Sequence, residues 1–171
     1  MLNGLPEVIE PWDFPRVKSR YQATVPLDRF PRLATSVQSM VGQVEILLEL
    51  SIDSTGHAMI EGRLKTNLII QCQRCLDNYT QTLDKPFRFC VLEQEPDYAL
   101  DDSIEPLIVN NGEAIITLEL IEDELILALP TYAVHPNIQD CDQTMILRAT
   151  EYKEEIRSNP FAILKNLIEP E

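Results

Sequence analysis

The sequence predicts an α+β fold: an antiparallel sheet, bent or barrel-like, over Tyr21 to Ile116, with a helix packed on it and a helical C-terminal segment. Three observations lead there. Val44, Ile46, Leu48 and Leu50 alternate with Glu45 and Glu49, the period of a half-buried strand. A second alternating run, Ala58, Ile60, Gly62 and Leu64, follows Asp53-Ser54-Thr55-Gly56, which is turn chemistry, so the two runs read as a hairpin. Leu118, Ile121, Leu125 and Leu129 then recur at helical spacing.

The chain has 171 residues, 44% hydrophobic and 25% charged, which suits one domain with an ordinary core. We divide it into an N-terminal arm over residues 1–20 and a single domain over residues 21–171. Pro6, Pro11 and Pro15 interrupt the arm, and Trp12 and Phe14 are its expected anchors on the body. No apolar run is long enough to span a bilayer, and Met1 to Glu10 lacks the pattern of a signal peptide. Four cysteines without such a signal read as reduced thiols in the cytoplasm.

In order, Tyr21 to Val25 reads as a short strand. Asp28 is a candidate N-cap for a helix carrying Phe30, Leu33 and Val37. The hairpin follows, and Leu68-Ile69-Ile70 extends its second strand. Cys72-Gln73-Arg74-Cys75 comes next, and Tyr79 to Leu92 returns as another strand, so the cysteine pair sits at a hairpin tip. Residues 93–104 form an acidic loop around Pro96. Glu105 to Asn110 is a short strand, Asn110-Asn111-Gly112 a turn, and Glu113 to Ile116 a run able to pair back. The helix over Thr117 to Leu129 has Thr117 as its cap and Glu119, Glu122 and Asp123 as its outer face, and Pro130 stops it. A loop holds His135 and Cys141. Gln143 to Arg157 is weakly helical, and Asn159 starts a short terminal helix.

The net charge is −14, and it is unevenly placed. Between Phe89 and Leu147 there are thirteen acidic residues and no lysine or arginine, so this half repels phosphate backbones and attracts basic partners. Solubility alone is the plainer reading of such a run. Asp101, Asp102, Glu119, Glu122 and Asp123 are the candidate partner-binding residues within it. Direct RNA contact would fall to the arginines from Arg16 to Arg32.

Structural zinc takes four sulfur or nitrogen ligands, and a Cys-x-x-Cys supplies two from one turn. Cys72 and Cys75 have that spacing, and His135 and Cys141 can complete the set, with Cys90 as a rival. The alternatives are packed, inert thiols and thiol redox chemistry. Redox work is disfavoured because the motif does not open a helix, which would lower the thiol pKa. A zinc- or thiol-dependent enzyme on Cys72 and Cys75 is the second reading of function. Glu122-Asp123-Glu124 has no accompanying histidine or serine motif and reads as a solvated helix face. Five scattered glycines form no phosphate loop.

Cys72-Gln73-Arg74-Cys75-Leu76, then Ile121-Glu122-Asp123-Glu124-Leu125-Ile126-Leu127-Ala128-Leu129-Pro130, then His135 and Cys141, then Asn159-Pro160-Phe161-Ala162-Ile163-Leu164 with Leu167 occur in this order. The chain resembles the YceD family, the large ribosomal RNA subunit accumulation proteins, from about Tyr21 onward. The resemblance implies a cytoplasmic, non-enzymatic ribosome-biogenesis factor, whose family is encoded beside a small, basic ribosomal protein. It implies no catalytic residues. Some relatives carry a complete second cysteine pair after the helix, where this chain has His135 and Cys141. Joined to the charge pattern, the resemblance points to a basic ribosomal protein or an assembly factor as the partner of residues 93–142, with ribosomal RNA reached indirectly.

Overall fold

The computed structural model describes residues 4–14, 18–98, 100–142 and 144–145. The expected terminal helix from Asn159, and nearly all of the weakly helical stretch before it, lie outside the described residues. Among the described residues, seven strands and one α-helix follow one another: β1 (Val8–Ile9), β2 (Ser19–Pro26), β3 (Gln43–Ile52), β4 (Ala58–Gln71), β5 (Asn78–Leu92), β6 (Glu105–Ile108), β7 (Ile115–Ile116) and α1 (Thr117–Leu127). Among the described residues, no helix is long and apolar enough to cross a membrane.

Five strands form one sheet in the order β2-β3-β4-β5-β6. It is open: β2 and β6 stay at opposite edges, so the barrel-like form is not adopted. It is also mixed rather than antiparallel, because β6 runs parallel to β5, from Phe89↔Glu105 to Leu92↔Ile108. The acidic loop is the crossover. It leaves the end of β5, crosses the sheet end and returns in the same direction. Leu100 and Ile104 pin it on the small cluster of Met59, Cys90 and Leu92.

The alternation read from the sequence sets the register. Val44, Ile46, Leu48 and Leu50 of β3 are buried, and so are Ile60, Leu64, Leu68 and Ile70 of β4. Opposite them, Tyr79, Leu83, Phe87, Phe89 and Val91 of β5 turn to the same face. Ile121 and Leu125 of α1 are fully buried against this core. Each such side chain contributes roughly 1.5–3 kcal/mol by leaving water.

Three local expectations change. Residues 27–37 do not form an α-helix. They make two 3-10 turns, Leu27–Arg29 and Leu33–Thr35. Pro31 is the reason: the residue before a proline is driven out of the α region, and Phe30 sits at φ −116°, ψ 77°. Phe30, Leu33 and Val37 are buried all the same. Second, β7 pairs with β1 of the arm, Val8↔Ile116 and Ile9↔Ile115, and not with β6. The arm is thus stitched to the start of α1, where Thr117 N–H donates to the Glu7 carbonyl at 3.1 Å. Leu5 and Ile9 are its buried anchors; Phe14 packs on the core, while Trp12 is 40% exposed. Third, Thr117 is inside the helix rather than its cap, and its buried hydroxyl has no hydrogen-bond partner among the described residues. The helix ends at Leu127, two residues before the expected Leu129.

Gly62 faces Phe87 across β4 and β5. A Cβ there would lie 2.6 Å from Phe87 Cε1 and 2.7 Å from the Leu47 carbonyl oxygen. The ring occupies the space the glycine leaves. Gly62→Ala is therefore expected to cost about 1–3 kcal/mol in urea unfolding, the usual penalty of overpacking. Gly62→Ala combined with Phe87→Leu is expected to recover part of it.

Candidate metal centre

The cysteine pair occupies the six-residue tip between β4 and β5. Two backbone bonds close the turn: Cys72 N–H to the Asp77 carbonyl and Leu76 N–H to the Cys72 carbonyl, both 2.8 Å. Leu76 takes a left-handed conformation, φ 67°, to complete it. The Gln71 amide holds that residue by donating to the Leu76 carbonyl at 2.9 Å. The loop after α1 is docked on the tip by the Gln73 N–H, which donates to the Ala133 carbonyl at 2.7 Å. This contact delivers His135 and Cys141.

Cys72, Cys75, His135 and Cys141 converge, with all ligand-type atoms within 4.8 Å of one another. All four are buried. The Cys72 and Cys141 sulfurs are 3.8 Å apart, which excludes a disulfide between them in this state. His135 Nδ1 is 3.5 Å from the Cys75 sulfur and 3.4 Å from the Cys141 sulfur. These spacings can be checked against metal chemistry. A tetrahedron with zinc–sulfur bonds of about 2.3 Å and a zinc–nitrogen bond of about 2.05 Å has S···S edges of about 3.8 Å and S···N edges of about 3.5 Å. These three edges agree and the others stay within 4.8 Å, so the donor set fits a tetrahedral ion after a small contraction.

The surroundings treat the sulfurs differently, favouring the anion at Cys72 and the neutral thiol at Cys141. Burial pushes the Cys72 thiol up, but hydrogen bonding from the Cys75, His135 and Arg74 backbones and from the His135 side chain outweighs it and holds the thiol down, to about 5. Burial raises Cys141, the Arg74 guanidinium opposes that, and the neighbouring Cys75 and Cys72 sulfurs reinforce it. Arg74 Nε lies 3.1 Å from the Cys141 sulfur, Arg74 Nη2 donates to the His135 carbonyl at 3.2 Å, and Arg74 N–H lies 3.4 Å from the Cys72 sulfur. The Tyr79 ring lies 4.9 Å from the His135 ring, centroid to centroid, and helps fix its orientation. Arg74 and Tyr79 act on the cluster without belonging to it. The arginine inside the Cys-x-x-Cys was a visible signal for the first; nothing in the sequence marked the second.

Cys90 is outside the cluster. It points to the opposite face of β5, packs with Met59 and Leu92, and has its thiol raised by burial and by Asp53. Cys72 starts no helix, so the helix N-terminus that activates thioredoxin-type cysteines is absent from this turn, and the lowering at Cys72 comes from hydrogen bonds.

The carboxylates of α1 divide. Glu119 and Asp123 are exposed as expected, whereas Glu122 and Glu124 are buried. Glu122 is therefore a correction to the outer face. Its carboxylate accepts from Arg32 N–H at 2.6 Å, Leu33 N–H at 3.1 Å and Arg32 Nε at 2.9 Å. It caps the second 3-10 turn and is committed to holding the chain. Asp123 meets the same guanidinium at 2.6 Å. Asp101 and Asp102 are exposed in the acidic loop, where Asp101 accepts from the Ser103 N–H at 2.9 Å.

A family model described as large ribosomal RNA subunit accumulation protein YceD matches residues 60–168, a span that contains all four clustered side chains. The chain belongs to the YceD family. A relative from Haemophilus influenzae, named large ribosomal RNA subunit accumulation protein YceD, is 28% identical over 169 residues, covering 95% of each chain. No solved structure matches. The YceD family is named for accumulation of an RNA and not for a reaction.

Two outcomes test the helix carboxylates. Glu122→Ala strands three donors and is expected to cost about 2–4 kcal/mol in denaturant unfolding, against less than about 1 kcal/mol for Asp123→Ala. Glu124 is the opposite case. Burial raises its carboxyl, Lys85 opposes, and Glu105 and Asp123 add to the rise. A raised carboxyl is most at ease when protonated, so the charged form weighs on the fold above that raised value. Glu124→Gln is expected to raise Tm at neutral pH by about 2–4 °C, what about 1 kcal/mol gives at this size. The gain shrinks as pH falls to the ordinary glutamate value.

Proposed function

We propose that this protein is a cytoplasmic, non-enzymatic ribosome-biogenesis factor that supports accumulation of large-subunit ribosomal RNA by engaging a basic ribosomal protein or assembly factor. Membership of the YceD family carries the ribosomal part of this reading. The distribution of charge supports a protein partner over direct RNA contact. The basic residues of the first third are mostly spent: Lys18 pairs with Glu49 at 2.7 Å, Arg20 with Glu49 at 3.5 Å, and Arg32 with Glu122 and Asp123. Arg29 is exposed, and Arg16 lies outside the described residues. Glu119, Asp123, Asp101 and Asp102 remain the exposed acids of the proposed partner surface; Glu122 supports it from within.

The same reading gives the cluster a structural zinc ion held by Cys72, Cys75, Cys141 and His135. Four protein ligands leave no open position for substrate, which is the pattern of structural and not catalytic sites. Three thiolates and a neutral imidazole around a divalent ion carry one net negative charge, and Arg74 balances it. When bound, the ion cross-links the β4–β5 tip to the loop after α1. The thiol-dependent enzyme is the weaker reading, because the sulfurs are buried and face one another rather than a cleft.

Elemental analysis of purified protein is expected to find about one zinc per chain. Cys72→Ser is expected to abolish it, to lower Tm by more than about 4 °C and to free the tip to hydrogen exchange, while Cys90→Ser keeps the metal. Metal-free protein with an intact tip contradicts the zinc assignment. Affinity capture from growing cells over rising salt is expected to retain identified basic ribosomal proteins. Capture of naked ribosomal RNA without such a protein contradicts the partner assignment.

A further inference from the structure

Away from the metal centre, at the other end of β4 and β5, a cavity of about 430 Å³ opens between the arm and the acidic loop. Trp12 and Tyr98 line it, 40% and 54% exposed, together with His57, Glu93, Glu95 and Asp97. Among the described residues, no lysine or arginine lines it. Two large aromatic side chains are left open to solvent at this one cavity; among the described residues Tyr132 is the other exposed aromatic, and Phe30, Tyr79, Phe87 and Phe89 are buried.

The three carboxylates differ from the acids that are tied into the fold. Glu49, Glu61, Asp84, Glu122 and Asp123 are each paired with a lysine or arginine of this chain. Among the described residues, Glu93, Glu95 and Asp97 make no side-chain hydrogen bond or ion pair. Their charge is unspent, and it sits beside aromatic faces, which attract cations through the ring quadrupole. Phosphate backbones are repelled from the same rim.

We propose that this cleft receives an arginine or lysine side chain from an extended basic segment of a protein partner, with Trp12 and Tyr98 contacting the cation and Glu93, Glu95 and Asp97 holding it and its basic neighbours. The proposal rests on the basic-partner reading above and gives that partner a place and a chemistry. It also assigns the exposed Trp12 a role other than anchoring the arm.

Trp12 is the single tryptophan of the chain, so its fluorescence reports on this cleft alone. The probe is a fluorescein-labelled peptide of alternating arginine and glycine, titrated into the full chain at low salt. Saturable binding by anisotropy is expected to coincide with a change in Trp12 fluorescence of unlabelled complexes. The triple variant Glu93→Gln, Glu95→Gln, Asp97→Asn is expected to weaken binding about tenfold or more, and Tyr98→Ala about threefold. A control triple, Asp28→Asn, Glu45→Gln, Glu113→Gln, removes the same charge from exposed positions elsewhere and is expected to weaken it less than about twofold. All these positions are exposed or at the surface, and circular dichroism checks that each variant folds. Equal weakening by both triples, or binding that leaves Trp12 fluorescence unchanged, overturns the cleft. So does a fluorescence response to polyuridylate stronger than to the peptide. Identified basic ribosomal proteins retained equally by the wild type and the cleft triple would sink the cleft and leave the partner reading standing. Retention of none by the wild type would sink the partner reading itself.

Discussion

The pairing of β4 with β5 is the constraint on which the other features depend. The two strands stay in register over fourteen pairs, from Ala58↔Val91 to Gln71↔Asn78. At roughly 3.3 Å per residue they span about 40 Å. One end carries the cysteine turn; the other carries His57, the end of β5 and the acidic loop. A slip by one residue would turn Leu64, Leu68 and Ile70 to solvent and lift Cys72 out of the buried cluster. The register that builds the core therefore also aims the sulfurs. It separates the metal centre from the acidic cleft by nearly the length of the sheet, so each can be altered without touching the other.

The metal centre joins parts of the chain that are far apart in sequence. Cys72 and Cys141 are separated by 69 positions. Closing so long a loop costs chain entropy, though the cost grows only slowly with length. Backbone contacts meet part of it before any ion is needed, since the Gln73 N–H already binds the Ala133 carbonyl and Arg74 already reaches the His135 carbonyl. Arg74 serves twice, as a bridge to the loop and as the countercharge for the sulfurs. Its position inside the Cys-x-x-Cys follows from that: one turn then delivers two ligands and their compensating cation.

The period-2 runs of β3 and β4 were legible because one face is buried and the other is wet. The hairpin tip followed from the gap between two such runs, and the four clustered residues from their donor types. What was not legible depended on contacts across the fold. Pro31 breaks the helix expected after Asp28, a local signal outweighed in the reading by the spacing of Phe30, Leu33 and Val37. The partner of β7 is the arm, 106 positions upstream for Ile9 and Ile115, the reverse of the local hairpin that Asn110-Asn111-Gly112 invites. Glu122 looked exposed because helical periodicity is blind to an arginine arriving from residue 32. The parallel β6 required knowing that Leu100 and Ile104 hold the acidic loop on the back of the sheet.

Net charge alone does not locate a working surface. The base-free half of the chain looks uniformly acidic in sequence, yet in the fold its acids separate by what they meet. Arg32 crosses over to take Glu122 and Asp123, and Ser103 holds Asp101. Glu124 is buried, and its charge works against the fold. Among the described residues the run from Glu93 to Asp97 stays unpaired, as do Asp102, Glu105 and Glu119, and that run lines a cavity together with Trp12 and Tyr98. Arg88, the nearest cation in sequence, is engaged with Glu61 and Ser103. The chain thus supplies partners for acids that hold its own fold together and withholds one from the acids at the cleft. Unsatisfied charge joined to exposed aromatic faces at one cavity, rather than the total charge, is what singles out this end of the sheet.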